Sequence, residues 1–176
     1  MGPVVFAISL GCLICLIGFW LRRERTTAAA AKGVRDRLIE TYGLDEAYVS
    51  GDDDSFVGLS MAKRELLVGR VETPQRLPFG AIRAVEGLRD GAVMVRTARD
   101  GVPPPPADPD ALPPHMIRSL GLRITVDAPE PGDHVILFAN GGKQGLDPQN
   151  LYLRQQAALA EAWYRKVAVA MRDGAA

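Results

Sequence analysis

The sequence predicts one transmembrane helix followed by a mainly-β domain of the α+β kind. The domain is a small barrel or curved sandwich of seven short, mostly antiparallel strands, with a C-terminal helix covering its open end. An uncharged apolar run near the start of the chain, alternating apolar residues between positions 55 and 138, and a final amphipathic pattern lead to this prediction. Such patterns are typical of a membrane span, of half-buried strands and of a surface helix, respectively.

The apolar run covers residues 3–21 and contains no charged side chain over 19 positions. As a helix rising about 1.5 Å per residue, it spans the roughly 30 Å hydrocarbon layer of a bilayer. A cleaved signal peptide would carry basic residues before the run, and a lipoprotein signal would not continue far past Cys12. We therefore predict a retained anchor over residues 1–21, in which Cys12 and Cys15 are apolar filler.

Residues 22–44 form a basic link between the anchor and the domain. An excess of Lys and Arg after a span predicts that the C-terminal domain faces the cytoplasm, with the N-terminus outside. The residues predicted at the membrane interface are Trp20, Arg22, Arg23 and Arg25. Val34, Leu38 and Tyr42 recur at helical spacing, so this link is a helix that extends the anchor or lies along the domain. Its charge also suits anionic headgroups.

The domain is predicted over residues 45–176, and an acidic run opens it at residues 45–54. This run lacks the ligand spacing of a calcium loop, so a solvated loop is favoured over a cation site. "SFVGLS" and "RELLVGR" then predict a hairpin with Val57 and Leu59 facing the same interior as Leu66 and Val68. "QRLPF" predicts a strand that its neighbouring prolines confine to an edge or to irregular pairing.

The stretch "RLPFGAIRAVEGLRDGAVMVR" combines a strand end with a hairpin. Ile82 and Val85 are three residues apart, which predicts a bulge or tight turn that directs both inward. The Asp-Gly pair at residues 90–91 predicts the hairpin turn, and "AVMVRT" the returning strand. We expect the charged residues of this stretch on the solvated face of the sheet: Arg83, Glu86 and Arg89.

Seven prolines between residues 103 and 114 predict a protruding extended loop over 102–114. A loop insertion is the simpler interpretation, and binding to a proline-reading module is the alternative. Two strands follow, "LGLRITVD" and "HVILFA", joined by a Pro- and Gly-containing turn. Asp147 and Pro148 predict the start of the last helix, on which Trp163 anchors the apolar face. The predicted face comprises Tyr152, Gln156, Leu159, Trp163, Val167 and Ala170.

This order of elements resembles the pleckstrin-homology-like (PH-like) fold, a seven-stranded bent antiparallel barrel capped by a C-terminal helix. The Phe-x-x-Ile-x-x-Val-Glu segment at Phe79, Ile82, Val85 and Glu86 is similar to one in uncharacterised bacterial single-span membrane proteins that carry a PH-like domain. The resemblance covers residues 55–172 and implies a fold and a bacterial inner (plasma) membrane location. It implies no catalytic activity.

The function expected from these patterns is binding rather than catalysis. Neither His115 nor His134 stands near a ligand set or a nucleophile motif, so we predict no enzyme activity, cofactor or metal. A formal net charge of zero argues against a nucleic-acid surface. A protein partner is the leading expectation. Headgroup binding by Lys63, Arg64, Arg70 and Arg76, or assembly of a complex through the transmembrane helix, are the alternatives.

Overall fold

A computed structural model describes residues 31–99, 116–127 and 132–175 of the chain. The predicted anchor over residues 1–21 and the proline-rich loop over 102–114 lie outside these residues. So do the predicted interface residues Trp20, Arg22, Arg23 and Arg25. In the described part of the chain, no helix has both the length and the apolar character needed to cross a membrane.

The described residues form a mainly-β domain with two antiparallel sheets and a C-terminal helix. The prediction of a mainly-β, antiparallel domain that ends in a helix is therefore confirmed. A helix over residues 31–42 (α1) comes first, and a short 3₁₀ helix at Phe79–Ala81 joins the two sheets. The strands are β1 (Glu46–Val49), β2 (Ser55–Ser60), β3 (Glu65–Arg70), β4 (Thr73–Pro78), β5 (Ile82–Arg89), β6 (Ala92–Ala98), β7 (Ser119–Val126) and β8 (Gly132–Asn140), and the last helix is α2 (Leu151–Asp173). The strand orders are β1-β2-β3-β4 and β6-β5-β7-β8.

The strand count corrects the prediction, because the described residues contain eight strands rather than seven. The additional strand is β1, which lies where a solvated acidic loop was expected. It pairs with β2 along its whole length, and the Tyr48 ring stacks on Phe138 with centroids 4.2 Å apart. The stacking of Tyr48 on Phe138 stabilises this four-residue strand, although acidic residues lie on both sides of it in the sequence.

The main core lies between the two sheets and α2, and it contains the apolar faces that alternation predicted. Val57 and Leu59 of β2 meet Leu66 and Val68 of β3 in this core. Ile82 and Val85 of β5 both point inward, and the pairing of β5 with β7 shifts register between Ile82 and Ala84. The predicted bulge is therefore confirmed, since it lets side chains three residues apart reach one core.

Helix α1 covers the outer face of the first sheet. Leu38 of α1 and Leu44 just after it pack with Phe56 and Leu67, which point away from the main core. Every residue of β2 is buried as a result, because one face meets the main core and the other meets α1. Helix α1 therefore lies along the domain, and the residues that would connect it to the predicted anchor lie outside the described ones.

The β5–β6 hairpin turns at Asp90 and Gly91, as predicted. Both residues have positive φ angles, 53° and 81°, which is the signature of a type I′ turn. Asp90 Oδ1 also accepts the backbone N–H groups of Arg118 and Ser119, so the turn is bonded to the start of β7.

The start of α2 differs from the prediction. Asn150, not Asp147, is the N-cap, and its side chain accepts the N–H of Leu153. Asp147 instead accepts the N–H of Gln149 and forms a separate turn before the helix. The predicted face is correct at Trp163, Val167 and Ala170, whereas Tyr152 and Leu159 are exposed near the beginning of the helix.

The end of α2 approaches the 3₁₀ helix so closely that residue 174 has no room for a side chain. A Cβ atom on Gly174 would lie 2.3 Å from the carbonyl carbon of Phe79, although its φ of −71° suits any residue. We expect Gly174→Ala to lower the free energy of unfolding by about 1–3 kcal/mol, because backbone must shift to admit the methyl group. Urea unfolding followed by circular dichroism measures this change.

Gly33→Ala in α1 is the matched control. A Cβ atom there meets nothing within 4 Å among the described atoms, and alanine favours a helix over glycine by roughly 0.5–1 kcal/mol. The two identical substitutions are thus expected to shift stability in opposite directions. A stabilising Gly174→Ala would contradict the close packing of these backbones.

Candidate functional site

A groove opens between the edge strand β1 and the last helix. Its main cavity has a volume of about 390 Å³, and all four residues of β1 line it. Leu159, Trp163 and Lys166 of α2 form the opposite wall, and residues 31, 32 and 35 of α1 close one side. We call this cavity, together with the neighbouring one described below, the β1–α2 groove.

The outer edge of β1 is free to pair within the part of the chain that the structure describes. The sheet order ends at β1, and β2 occupies its other side. Ser50 donates its N–H to the Ser55 carbonyl at 2.8 Å, so the register assigns Tyr48 and Ser50 to the bonds with β2. By the alternation of an antiparallel ladder, Ala47 and Val49 turn their N–H and C=O groups toward the groove.

The other sheet edges are less suited to pairing. β4 carries Pro74 and Pro78, and β6 is irregular because its register with β5 shifts between Gly87 and Leu88. On the outer side of β8, Leu137 donates its N–H to Ser55 Oγ at 3.0 Å, and its carbonyl accepts the Tyr48 hydroxyl at 3.2 Å. Prolines, bulges and satisfied backbone groups all hinder strand addition, which leaves β1 as the most accessible of the described edges.

A second cavity of about 260 Å³ continues the groove along α2. Leu59, Met61 and Val169 give it apolar walls, and Met61 and Val169 are exposed. An ion pair between Lys166 and Glu46 separates this cavity from the larger one. The groove therefore offers a polar section beside β1 and an apolar section at its end.

The four basic residues predicted to contact a headgroup or a partner do not all lie together. Lys63 Nζ donates to the carbonyl of Tyr42 at 2.7 Å, and Arg64 donates to the carbonyl of Asp173. Both residues thus cap the C-terminal ends of helices, where cations are favourable.

Of the remaining two basic residues, Arg70 lies apart from the others, whereas Arg76 contacts Tyr42 as Lys63 does. Arg70 ends β3, which places it about 20 Å along the strand from the turn that holds Arg64. Arg76 of β4 lies over the Tyr42 ring, 5.1 Å from its centroid, and its guanidinium approaches the Glu65 carboxylate at 4.0 Å.

Glu86 is buried, so the prediction that it is solvated on the charged face of the sheet is wrong for this residue. It lies on the outer face of the second sheet as expected, but its side chain is only 8% exposed. It pairs with Arg96 of β6 and Arg123 of β7, which stand directly opposite it in the register. Three charges therefore meet across three adjacent strands.

The acidic run between β1 and β2 forms a hydrogen-bonded turn. Asp53 Oδ1 accepts both the N–H and the hydroxyl of Ser55, and Ser50 Oγ accepts the N–H of Asp52. Burial raises the pKa of Asp52 above its ordinary 3.8, repulsion from Asp53 adds to this, and the Asn140 N–H opposes it. No group of three or more metal-ligating side chains occurs among the described residues.

Asp52→Asn is expected to stabilise the domain at about pH 7 and to have little effect at about pH 3. The folded state retains the Asp52 proton to higher pH than the unfolded state, so ionisation costs stability as the pH rises from 3.8 through the folded pKa. Urea unfolding midpoints at the two pH values measure the effect. Asp54→Asn, in the same turn, is the control. A gain from Asp52→Asn that is larger at acid pH would contradict the assignment.

The sequence does not predict the groove, because the acidic residues around its edge strand β1 favour a loop there. The alternation of Ala47 and Val49 with Glu46 and Tyr48 is the only indication of a strand here, and an alternation of four residues between acidic segments is a weak indication.

Comparisons with protein-family models, with curated proteins and with solved structures found no match for this chain.

Proposed function

We propose that this protein is a single-span binding module of the bacterial inner membrane. Residues 3–21 anchor it, and a PH-like domain in the cytoplasm binds an extended segment of a partner protein along β1. The uncharged run followed by basic residues supports the anchor and the orientation. Helix α1 would then connect the bilayer directly to the groove, because residues 31, 32 and 35 line its larger cavity.

The PH-like assignment is supported by the helix-covered pair of antiparallel sheets and by the motif residues. The apolar motif residues Phe79, Ile82 and Val85 all lie in the main core. Two features depart from the seven-strand pattern. One is the additional strand β1, and the other is the position of β5 between β6 and β7.

Among the described strands, β1 has an outer edge without a pairing partner inside a groove, and this observation carries the binding proposal. An added strand would satisfy the backbone groups of Ala47 and Val49 and would pack its side chains against α2. Main-chain hydrogen bonds of this kind supply affinity, and the flanking cavities supply specificity. Protein binding is favoured over headgroup binding because Lys63, Arg64 and Arg76 already contact groups of the domain.

Photo-crosslinking in cells tests this function on the full-length, membrane-anchored chain. A photoreactive amino acid at position 159, on the α2 wall, is expected to give one reproducible protein adduct. Ala47→Pro should abolish the adduct, because proline removes an outward N–H while the ladder to β2 does not use that group. Ala47→Ser retains the N–H and is the matched control.

The alternative functions give different outcomes in the same experiment. An adduct that persists in Ala47→Pro would contradict strand addition along β1. An adduct that disappears when residues 3–21 are replaced by an unrelated span would instead favour assembly through the transmembrane helix. A photoreactive amino acid at position 70, on the distant end of β3, should give no adduct that depends on residue 47.

A further inference from the structure

The walls of the larger cavity of the β1–α2 groove carry more positive than negative charge. Lys32 and Arg35 of α1 and Lys166 of α2 line the larger cavity, and Glu46 is the acidic residue beside them. Lys166 pairs with Glu46, and Arg35 approaches its neighbour Asp36 at 2.9 Å. Within the described ranges, none of the ion pairs involves Lys32. As far as the described residues go, the cavity thus has a net positive wall facing the outer edge of β1.

The apolar section of the groove supplies a second recognition element. Met61 is 49% exposed and Val169 is 42% exposed, and they line the smaller cavity together with buried Leu59. Asp45 and Arg165, one charge of each sign, also line this cavity. The Glu46–Lys166 pair lies between the two sections, so a bound strand would pass it on the way from one section to the other. A carboxylate on that strand would compete with Glu46 for Lys166.

We propose that the occupant of the groove is an acidic extended segment of a partner protein, a refinement that rests on the proposed function. Its acidic residues lie against Lys32, Arg35 and Lys166, and an apolar side chain enters the cavity beside Met61 and Val169. Alternate residues of a strand share one face, so the acidic residues are spaced two apart. Attraction between the segment and the basic wall orients it on β1 and makes binding sensitive to salt.

Selection from a random decapeptide library tests the chemistry of the occupant. The bait is the full-length protein in nanodiscs of uncharged lipid. We expect enriched sequences to carry aspartate or glutamate at alternate positions with an apolar residue near one end. Affinity for the selected peptide should fall about tenfold or more in the double variant Lys32→Glu, Arg35→Glu, and it should also fall at high salt.

The control is a second double variant, Arg70→Glu with Arg118→Glu, which makes the same change of charge outside the groove. It should bind the selected peptide as the unmodified protein does. Equal losses in the two double variants would overturn the inference, because they would show a general response to net charge.

The Ala47→Pro variant separates failure of this inference from failure of the proposed function. Enrichment of neutral or basic peptides whose binding is lost in Ala47→Pro would overturn the acidic occupant and leave strand addition intact. Peptide binding that is unaffected by Ala47→Pro, or no enrichment of any sequence, would overturn strand addition on β1 and the acidic occupant with it. Acidic peptides that depend on both Ala47 and the Lys32–Arg35 wall would support both proposals.

Discussion

A fragment that begins at residue 45 should be less stable than one that begins at residue 31 by about 4 kcal/mol or more. Leu38 and Leu44 are both 7% exposed where α1 packs on the outer face of the first sheet, and burial of a leucine side chain contributes about 1.5–3 kcal/mol. Removal of these residues also exposes Phe56 and Leu67, which α1 covers. A marginally stable domain does not tolerate a loss of this size easily.

Urea unfolding of the two fragments, followed by far-ultraviolet circular dichroism, measures the difference. Leu38→Ala in the longer fragment should cost about 2–4 kcal/mol and so reproduce a large part of it. Arg37→Ala, an adjacent exposed position on α1, is the control and should change stability by less than about 0.5 kcal/mol. Equal stability of the two fragments would contradict a structural role for α1 in the domain.

The packing of α1 on the first sheet shows which parts of the fold the alternation of apolar residues predicts and which parts it does not. The inward faces of β2, β3 and β7 follow from strict alternation, and the Asp90-Gly91 turn follows from residues that tolerate positive φ. The outward face of β2 was harder to interpret. Phe56 is fully buried by a helix whose position depends on contacts between residues distant in the sequence, and a single strand does not specify which element covers it.

Polar residues were predicted less well than apolar ones, for a physical reason. Lys63 and Arg64 suggested a headgroup site, but each neutralises the carbonyl end of a helix that arrives from another part of the chain. The partners of a charged side chain depend on sheet register and helix placement, and neither leaves a local pattern in the sequence. The β1–α2 groove was missed for the same reason, because it arises where three separate elements meet.

Glu86→Ala should lower the free energy of unfolding by about 3 kcal/mol or more. Glu86 neutralises two guanidinium groups on neighbouring strands, with Arg96 Nε 3.3 Å from one carboxylate oxygen and Arg123 on the other. Without the carboxylate, two like charges remain side by side on a partly buried surface. Removal of one partner from a buried ion pair typically costs about 3–5 kcal/mol.

The exposed pair Arg83–Asp127 on the same sheet provides the matched control. Its closest atoms are 3.6 Å apart, and its side chains are 53% and 44% exposed. Asp127→Ala should therefore cost less than about 1 kcal/mol. Urea unfolding of the two variants gives the comparison, and similar losses from both would contradict a special role for burial at Glu86.

Glu86, Arg96 and Arg123 form a triad of charges, and replacement of all three separates two contributions to stability. One is the cost of an unpaired arginine, and the other is the net contribution of the intact triad. The combined variant Glu86→Leu, Arg96→Met, Arg123→Met removes the carboxylate and both cations together. Because a buried ion pair gains in Coulomb energy roughly what it loses in desolvation, this variant should recover most of the stability lost in Glu86→Ala. If it were as unstable as Glu86→Ala, the triad itself would be a net source of stability. Recovery would instead assign the cost to the two unpaired guanidinium groups that Glu86 normally neutralises.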